Sequence, residues 1–482
     1  MPILPLALPT GSDKGREAHA GVAQLINCYA EQSNGAQKSQ MQVWAGPGLD
    51  PIVTLPGSGG VRALLEVDGV GYVVIGRLLY QVTSGGAYTL LGGITSDGYV
   101  GMTRNQRAAG TQVTVVCDGI AWFVSGGSLS RITDVDLPGP VDVCTVNGST
   151  IFAIPDGRMF RSEIDDTTSI DGLDVAEARS VADGLYRVVD RGGDLIAIGP
   201  RSFEVWQDIG GEAFGFSRTT AVRIGALGPS SVVKASIVTP QTVTDTVVWA
   251  AVDQYGKYAG VVMLDGSGVR KVSSLWVDRL IEAEADPLAI VATSWVSRGH
   301  GFVSFRLTST TVVYDTTTGE WHERQSRTTK GAATAWRVSL ATVLAGRTLV
   351  GDATSPKIYW LDEDTADEDG EEMVLTCRTP IANAFPERME MDRLHLDVIP
   401  GVGLGTGATQ DVDPVIAMRW SRDGETWSAE RQRALGAQGQ RGQRVTWSRI
   451  GTHQQITLEF KCSAAVARGL MSARWEGMTL TP

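Results

Sequence analysis

Cysteine is scarce in this sequence, and histidine is equally so. Among the 482 residues there are five cysteines, at Cys28, Cys117, Cys144, Cys377 and Cys462. They are widely separated and odd in number, so they predict reduced, buried thiols and assembly in a cytoplasm. The five histidines are His19, His300, His322, His395 and His453. Their spacing argues against a zinc site and against catalysis by a histidine-activated nucleophile.

Long apolar runs and basic clusters are absent as well. No stretch approaches the ~18 apolar residues of a membrane helix, and Met1–Pro9 lacks the basic start and long apolar core of a signal peptide. Lys and Arg number 42 against 54 Asp and Glu, which gives a formal charge of −12. Because binding to nucleic acid requires clustered Lys and Arg, this net negative charge argues against a nucleic-acid-binding function. It is better explained by a requirement for solubility. The glycine-rich Gly57–Gly60 also lacks the lysine of a phosphate-binding loop.

Glycine is abundant, with 57 residues, and it separates short β-rich segments. Gly184–Val233 shows this pattern most clearly, with four short strands joined by turn residues. Leu195–Ile198 is apolar at every position, which predicts a strand that is buried on both faces. In the next strand, Phe203 and Val205 are predicted to lie in the core beside Leu195. A small meander buried on both faces needs neighbours like itself, which is typical of a propeller blade.

The same pattern recurs along the chain without strict sequence identity. The further copies are Leu64–Val82, Val113–Val124, Val141–Phe160, Val247–Gly256, Phe302–Asp315 and Thr348–Trp360. Their spacing is irregular, roughly 30–60 residues, whereas regular propeller families repeat every ~40–50. The one helical pattern is Ser274–Glu284. The sequence therefore predicts an all-β chain in which residues 55–365 form an irregular six- or seven-bladed β-propeller.

The two ends of the chain do not resemble blades. Residues 1–54 are predicted to form an extended N-terminal segment that closes the ring against a late blade or packs on another subunit. Residues 366–482 contain alternating strands at Met391–Val398 and Arg444–Gly451, and a hairpin at Ser421–Ser428. These strands predict a C-terminal β-sandwich-like domain.

Two acidic stretches are candidate metal sites. The aspartates of Arg161–Asp174 could bind Ca²⁺ or cap turns, and turn capping is favoured. Leu361–Glu372 fails the calcium-loop pattern and is interpreted as a solvated linker. No metal, cofactor or catalytic residue is predicted.

Four stretches together resemble the packaged-DNA-stabilisation proteins of short-tailed bacteriophages, which form the tail hub or nozzle. They are Leu25–Glu31 with the Gly46–Leu49 turn, Ser162–Asp174, Gly199–Trp206 with Phe214–Arg218 and Gly225, and Ser421–Trp427 with Arg444–Gly451. The residues that carry the resemblance are Asn27, Tyr29, Gly48, Asp165, Asp166, Gly199, Phe203, Glu204, Val205, Trp206, Gly225, Asp423, Gly424, Trp427 and Trp447.

The resemblance implies a non-enzymatic virion protein of the phage tail, assembled in the host cytoplasm. It implies a ring of six copies below the head-to-tail adaptor ring that extends the DNA channel and helps to retain the genome. The implied partners are the adaptor and a tail needle, spikes or fibres. Double-stranded DNA is expected to pass without specific binding, and no membrane is involved.

Propellers also carry glycan-processing enzymes such as sialidases, and this is the alternative function, along with a carbohydrate-binding tail protein. The Ser421–Trp427 hairpin is close to a sialidase Asp box but is one residue shorter and lies outside the predicted propeller. Arg187, Arg201, Arg218 and Arg223 are available for a substrate carboxylate, yet nothing in the sequence brings them together. The structural function is therefore favoured.

Overall fold

The computed structural model describes residues 2–33, 39–211, 214–239 and 241–480. The chain divides into two compact units. We call the first the propeller unit, which comprises Pro51–Thr308 and Arg337–Trp360. We call the second the sandwich unit, which comprises Met1–Asp50, Ser309–Trp336 and Leu361–Pro482. The predicted domain boundaries after residues 54 and 365 remain predictions.

The described residues of the N-terminal part contain six strands and one short 3-10 turn, at Ala18–Ala20. The strands are β1 (Ile3–Leu6), β2 (Asp13–Lys14), β3 (Val22–Ile26), β4 (Cys28–Gln32), β5 (Met41–Ala45) and β6 (Gly48–Thr54).

Four antiparallel four-stranded sheets follow in sequence. The first contains β7 (Val61–Val67), β8 (Val70–Ile75), β9 (Leu78–Val82) and β10 (Tyr88–Gly93). The second contains β11 (Val100–Arg104), β12 (Val113–Cys117), β13 (Ile120–Ser125) and β14 (Ser128–Arg131). The third contains β15 (Asp142–Val146), β16 (Ser149–Ala153), β17 (Arg158–Ile164) and β18 (Asp166–Glu177). The fourth contains β19 (Arg187–Arg191), β20 (Asp194–Ile198), β21 (Phe203–Asp208) and β22 (Phe216–Val222).

The next segment contains a five-stranded sheet, the α-helix predicted at Ser274–Glu284, and further hairpins. The five-stranded sheet contains β23 (Ile224–Ala226), β24 (Val232–Val238), β25 (Val243–Asp253), β26 (Tyr258–Asp265) and β27 (Gly268–Lys271). Helix α1 spans Leu275–Glu282, and 3-10 turns lie at Pro229–Ser231 and Pro287–Ala289. The later strands are β28 (Val291–Ser297), β29 (His300–Arg306), β30 (Thr311–Asp315), β31 (Trp321–Arg327), β32 (Ala333–Ala335), β33 (Val338–Leu344), β34 (Arg347–Asp352) and β35 (Lys357–Asp362).

As far as residue 480, the C-terminal region contains ten strands and the four-residue helix α2 (Thr409–Val412). The strands are β36 (Asp367–Glu368), β37 (Glu371–Glu372), β38 (Leu375–Arg378), β39 (Ala382–Asn383), β40 (Arg388–Val398), β41 (Val415–Ser421), β42 (Arg431–Ala434), β43 (Val445–His453), β44 (Gln455–Cys462) and β45 (Gly469–Leu480). No helix in the described ranges is long and apolar enough to span a membrane.

The propeller unit is a ring of seven blades within the part of the chain that the structure describes. The innermost strand of each blade lies beside that of the next, in the order β7, β11, β15, β19, β24, β28, β33 and back to β7. Side chains join neighbouring inner strands: Ser294 Oγ donates to Lys234 O at 2.7 Å, and Ser339 Oγ donates to Val61 O at 3.1 Å. The ring selects the seven-bladed alternative over the six-bladed one.

Short turns connect the strands of each blade as the sequence predicts. Asp68-Gly69, Asp118-Gly119 and Asn147-Gly148 all have positive φ at both positions, from 47° to 85°. Asn, Asp and Gly tolerate this region better than other residues, and such two-residue turns match the twist of antiparallel strands. The N-terminal part of the chain also takes part in the ring. Strand β6 lies beside β35 in the sheet of the last blade, so the expected pairing of the N-terminal segment with a late blade is confirmed.

Two sheets form the sandwich unit. One has the order β4-β5-β45-β40-β43, with β1 beside β45, and the other includes β31-β3-β38-β44-β41-β42. The side chains between them form one core that includes Leu25, Met391, Trp447 and Phe460. Strands of the N-terminal segment thus supply part of this core. The alternation predicted for Met391–Val398 is confirmed, because its apolar side chains are buried while the polar ones are partly or fully exposed.

Two predictions about burial need correction. Phe203 and Val205 are buried as predicted, but they face away from Leu195: Phe203 pairs with Ile198 and belongs to the core shared with the fifth blade. Leu195 pairs with Trp206 and belongs to the core shared with the third blade. The interpretation of Leu361–Glu372 as a solvated linker is wrong at Glu368, which is fully buried.

Candidate functional site

An ion pair between two blades, together with a tyrosine of a third, joins three successive blades at the centre of the propeller. Asp142 begins β15 and Arg187 begins β19, and their side chains meet at 2.8 Å. Tyr99 Oη donates to Asp142 Oδ1 at 3.0 Å, and the Arg187 guanidinium lies 4.9 Å from the centre of the Tyr99 ring. We call these three residues the axial cluster. Arg187 Nη1 extends it to the fifth blade by donating to the carbonyl oxygen of Val232 at 3.0 Å.

The axial cluster is internally satisfied, which indicates a structural role. Burial raises the pKa of the Tyr99 hydroxyl well above its usual range, and the Asp142 carboxylate raises it further, so the phenol stays protonated. Burial acts to lower the pKa of Arg187, but the neighbouring Asp142 outweighs it and the pKa is raised. Asp142 Oδ2 also accepts from Val188 N at 2.9 Å. A fully paired charge of this kind fixes blade positions but is not a reactive group.

A cavity of about 630 Å³ opens at the propeller axis. Its lining includes Arg62, Lys234 and Arg306, whereas Asp97 is the only carboxylate residue among the described lining. Lys234 is held by Asp190 at 3.3 Å and by Asp245 at 3.2 Å. Retaining glycosidases require two carboxylates about 5 Å apart, and this lining does not provide such a pair.

The cavity also has the wrong size for a DNA channel. Its volume lies within the ~300–1,000 Å³ range of small-molecule pockets. One turn of a DNA duplex is ~34 Å long and, with grooves ~7.5–8.5 Å deep on either side of its axis, it occupies roughly several thousand Å³. DNA therefore cannot pass through the centre of one propeller.

One of the four stretches that carry the family resemblance packs the fourth blade against the fifth. It comprises Gly199–Trp206 and Gly225. Phe203 is fully buried and lies edge-to-face with Trp249, with ring centres 5.4 Å apart. A Cβ atom at Gly225 would lie 2.2 Å from Arg201 N, so only glycine fits there. Likewise, a Cβ atom at Gly199 would lie 2.4 Å from Gly184 O. These glycines are required because two backbone segments approach each other closely.

Glu204 is a buried acid in the same stretch. Its carboxylate accepts from Ser180 N at 2.7 Å, from Arg218 Nη1 at 3.2 Å and from Trp206 Nε1 at 3.1 Å. Val205 lies on the opposite face, with 2% of its surface exposed. Of the four arginines that could bind a substrate carboxylate, only Arg218 contacts Glu204. Arg187 belongs to the axial cluster, and Arg223 donates to Gln254 at 3.1 Å. The structure therefore does not bring them together.

Asp166 caps a turn, as the favoured interpretation holds, whereas Asp165 lies in the turn itself. Asp165 adopts a φ of 58°, and Asp166 Oδ1 accepts from Thr168 N at 3.1 Å and from Thr168 Oγ1 at 2.7 Å. Asp166 also lies 3.6 Å from Arg107 of the second blade. In the described ranges there is no group of three or more His, Cys, Asp or Glu side chains that could hold a metal ion.

In the sandwich unit, Asn27 joins three separate segments of the chain. Its φ is 56°, and its Nδ2 donates to Gln325 O at 3.0 Å and to Val374 O at 3.1 Å. Tyr29 is buried beside His322, with ring centres 6.2 Å apart. A Cβ atom at Gly48 would lie 2.4 Å from the carbonyl oxygens of Thr365 and Asp367. These residues position the N-terminal segment within its own unit.

A second buried ion pair explains why Glu368 is inside the protein. Glu368 lies 3.7 Å from Arg324, and both side chains are at most 2% exposed. Glu368 Oε1 accepts from Trp336 Nε1 at 3.0 Å, and the Arg324 guanidinium lies 4.5 Å from the Trp336 ring. Arg324 Nη2 also donates to Pro47 O at 2.7 Å, which attaches the Gly46–Leu49 turn.

The C-terminal signature residues also have structural partners. Asp423 caps its turn by accepting from Thr426 N at 2.7 Å and Glu425 N at 2.9 Å, and these bonds lower the pKa of its carboxyl well below the usual range. A Cβ atom at Gly424 would lie 2.6 Å from Ala18 O. Trp447 is fully buried and its Nε1 donates to Arg431 O at 2.8 Å.

Trp427 is part of a charged cluster that sequence reasoning missed. The guanidinium groups of Arg378 and Arg419 lie 5.1 and 4.7 Å from the centre of its ring. Both arginines pair with Glu459, whose side chain is fully buried, and Lys461 lies 2.9 Å from the same carboxylate. Arg419 and Arg378 lie 40 and 81 residues from Glu459 in sequence, so no local pattern predicts the cluster.

Comparison with known proteins gives two family matches. The family described as "Bacteriophage P22 Gp10, beta-propeller" matches residues 10–366. The family described as "Bacteriophage P22 Gp10, beta-sandwich" matches residues 375–477. The two matches follow each other along the chain and confirm the fold class predicted from the sequence. No curated protein matches the chain.

Solved structures with similarity to the chain include other propellers. A virginiamycin B lyase from Staphylococcus aureus has 12% identity and a TM-score of 0.44 over 65% of this chain and 98% of that chain. The WD40 β-propeller domain of Doa1 has 9% identity and a TM-score of 0.38 over 65% of this chain and 96% of that chain. Similarity at this level carries no information about activity.

Proposed function

The chain belongs to the bacteriophage P22 Gp10 family, and on this premise we propose that it is the hub or nozzle of the phage tail. In this proposal it extends the DNA channel below the head-to-tail adaptor and helps to retain the packaged genome. The observation that carries the proposal is the pair of family matches, which follow in order and cover residues 10–366 and 375–477.

The chemistry of the described sites supports a structural rather than an enzymatic function. The axial cluster and the Glu459 cluster are buried or partly buried, and each is paired within its own unit. The axial cavity offers one carboxylate residue, Asp97, and that residue is already paired with Arg77 at 2.6 Å. Groups that are paired in this way hold blades and strands in place.

The channel in this proposal runs through a ring of six copies. The axial cavity is too small for a duplex, so DNA would be bounded by outer surfaces of neighbouring copies. With a formal charge of −12 per chain, these surfaces would repel the duplex and allow it to slide, because no phosphates are neutralised. Retention of the genome would then be steric, through a narrow passage or a plug supplied by a tail needle.

Assembly with the adaptor tests the proposal directly. The purified protein should be monomeric or weakly associated in light scattering, and it should form a ring in negative-stain microscopy only when the adaptor ring is added. The protein without the adaptor serves as the control. A stable six-membered ring without the adaptor would contradict the expected order of assembly, and failure to bind the adaptor would contradict the tail position.

A further inference from the structure

A cavity of about 740 Å³ in the sandwich unit is not used by any role described above. We call it the arginine pocket, after the two arginines in its lining, Arg388 and Arg422. The lining also includes His453, Gln455 and the ring of Phe385. No Asp or Glu contributes to the lining among the described residues, although acidic residues outnumber basic ones in the chain as a whole.

Arg422 is held in one orientation by a buried histidine. Its Nε donates to His453 Nδ1 at 3.1 Å, while His453 Nε2 lies 3.0 Å from Ile450 O and donates to it. Only 3% of His453 is exposed. Burial and the adjacent Arg422 lower the pKa of His453, so the imidazole is neutral and its Nδ1 can accept. Nη1 and Nη2 of Arg422 make no hydrogen bond to any described residue.

The backbone around Arg422 is fixed as well. Gln455 Nε2 donates to Arg422 O at 2.7 Å and to His19 Nδ1 at 2.8 Å. Arg388 is at the start of β40, next to Met389, which is the register partner of His453. Arg388 is exposed and has no ion pair with any described residue. Two arginines whose guanidinium N–H groups can still donate hydrogen bonds therefore lie at one cavity. One of them, Arg422, is already held in its orientation by His453.

Two guanidinium groups without a carboxylate partner favour an anionic ligand. Arginine matches the two oxygens of a carboxylate or a phosphate with parallel hydrogen bonds. A nucleic acid is the weaker candidate, because the net charge of −12 repels a polyanion at long range. Phe385 is 73% exposed at the pocket and offers apolar contact, which a phosphate backbone does not use. A protein segment can provide both a carboxylate for the arginines and an apolar side chain for Phe385.

We propose that the arginine pocket binds a carboxylate-bearing segment of a partner protein. An Asp or Glu side chain pairs with Arg388 and Arg422, and an apolar residue beside it packs on Phe385. The volume lies within the range of pockets that enclose a small ligand or several side chains. This binding does not depend on the proposed tail role.

The test uses the full-length protein and a fluorescein-labelled hexapeptide of alternating glutamate and leucine, followed by fluorescence anisotropy. We expect saturable binding that weakens at least tenfold in Arg388→Gln and in Arg422→Gln, which is about 1.4 kcal/mol. Arg474→Gln is the matched control, since Arg474 is an exposed arginine of the same unit outside the pocket, and it should bind as the wild type does. Thermal melts check that each variant is folded. If Arg422→Gln proves unstable, Arg388→Gln still tests the proposal, because Arg388 is exposed and its replacement should leave the fold intact.

Competing ligands distinguish the sources of negative charge. A peptide with lysine in place of glutamate should not bind, and inorganic phosphate or a short DNA duplex should bind more weakly than the glutamate peptide. The proposal is wrong if the wild type shows no saturable binding or if the arginine variants bind as tightly as the wild type. Equal binding of the lysine peptide, or tighter binding of phosphate or duplex, also contradicts it.

Discussion

Asp142 and Arg187, the first residues of the inner strands of two successive blades, form an ion pair at 2.8 Å. The Asp142 side chain is 1% exposed and that of Arg187 is 18% exposed. Inner strands of a propeller are not joined by a backbone ladder across blades, so such side-chain contacts set the position of one blade relative to the next. The ring therefore depends on pairs of residues that lie about one blade apart in sequence.

Removing one partner of this pair should destabilise the propeller. We expect Arg187→Met to lower the free energy of unfolding by about 3 kcal/mol, because it leaves the buried Asp142 carboxylate without its counter-charge. Urea denaturation measures the change. The matched control is Arg77→Met, which removes an exposed ion pair with Asp97 and should leave the midpoint unchanged. Equal midpoints for the two variants would show that the axial pair contributes nothing.

Phe203 fills the core between the fourth and fifth blades. Truncation to alanine should cost about 3–5 kcal/mol, because it removes the contact with Trp249 and leaves a cavity. The matched control is Leu173→Ala, since Leu173 is 82% exposed and its truncation should change stability by less than about 0.5 kcal/mol. A loss below about 1 kcal/mol for Phe203→Ala in a denaturant melt would contradict its place in the core.

The Glu459 cluster predicts a defined pH dependence. Burial acts to raise the pKa of Glu459, but Arg419, Arg378 and Lys461 outweigh it and lower the pKa below the ordinary value of 4.5. The carboxylate therefore stabilises the fold above about pH 4.5, and this contribution is lost as the pH falls through the lower folded-state pKa.

Glu459→Gln should remove this dependence. The difference in unfolding free energy between wild type and variant is expected to be largest near neutral pH and to shrink as the solution is acidified below about pH 4.5. Urea melts at a series of pH values measure it. A difference that stays constant, or that grows on acidification, contradicts the assigned sign.

The acidity of the chain predicts weak contact with free DNA. Fluorescence anisotropy with a labelled duplex should detect no binding at about 150 mM salt, because no phosphates are neutralised by clustered basic residues. The control is the same titration at low ionic strength. The two titrations together should show no steep dependence of the affinity on salt. Micromolar affinity that falls sharply with added salt would show that the protein grips the phosphate backbone.

The local structure was largely predictable from the sequence. Alternation and turn chemistry located blade strands such as Leu195–Ile198, the short glycine-containing turns between such strands, and helix α1. These features depend on neighbouring residues, whose patterns are visible in one sequence.

The long-range contacts were not predictable. Alternation shows that Leu195 and Phe203 are buried but not which neighbouring blade each one faces, and the predicted contact between them was wrong. Glu368 lies in an acidic run that is typical of solvent-exposed linkers, yet it pairs with Arg324, 44 residues away. Charged partners that meet through the fold leave no local signal in sequence.

The central claim is that this protein helps to retain the genome in the phage particle. Nuclease sensitivity of packaged DNA in particles assembled without it tests that claim most directly, with particles that contain it as the control. The account predicts that the heads fill with DNA but that the genome leaks and becomes digestible. Particles that lack the protein and still protect a full-length genome as well as complete particles do would contradict the account.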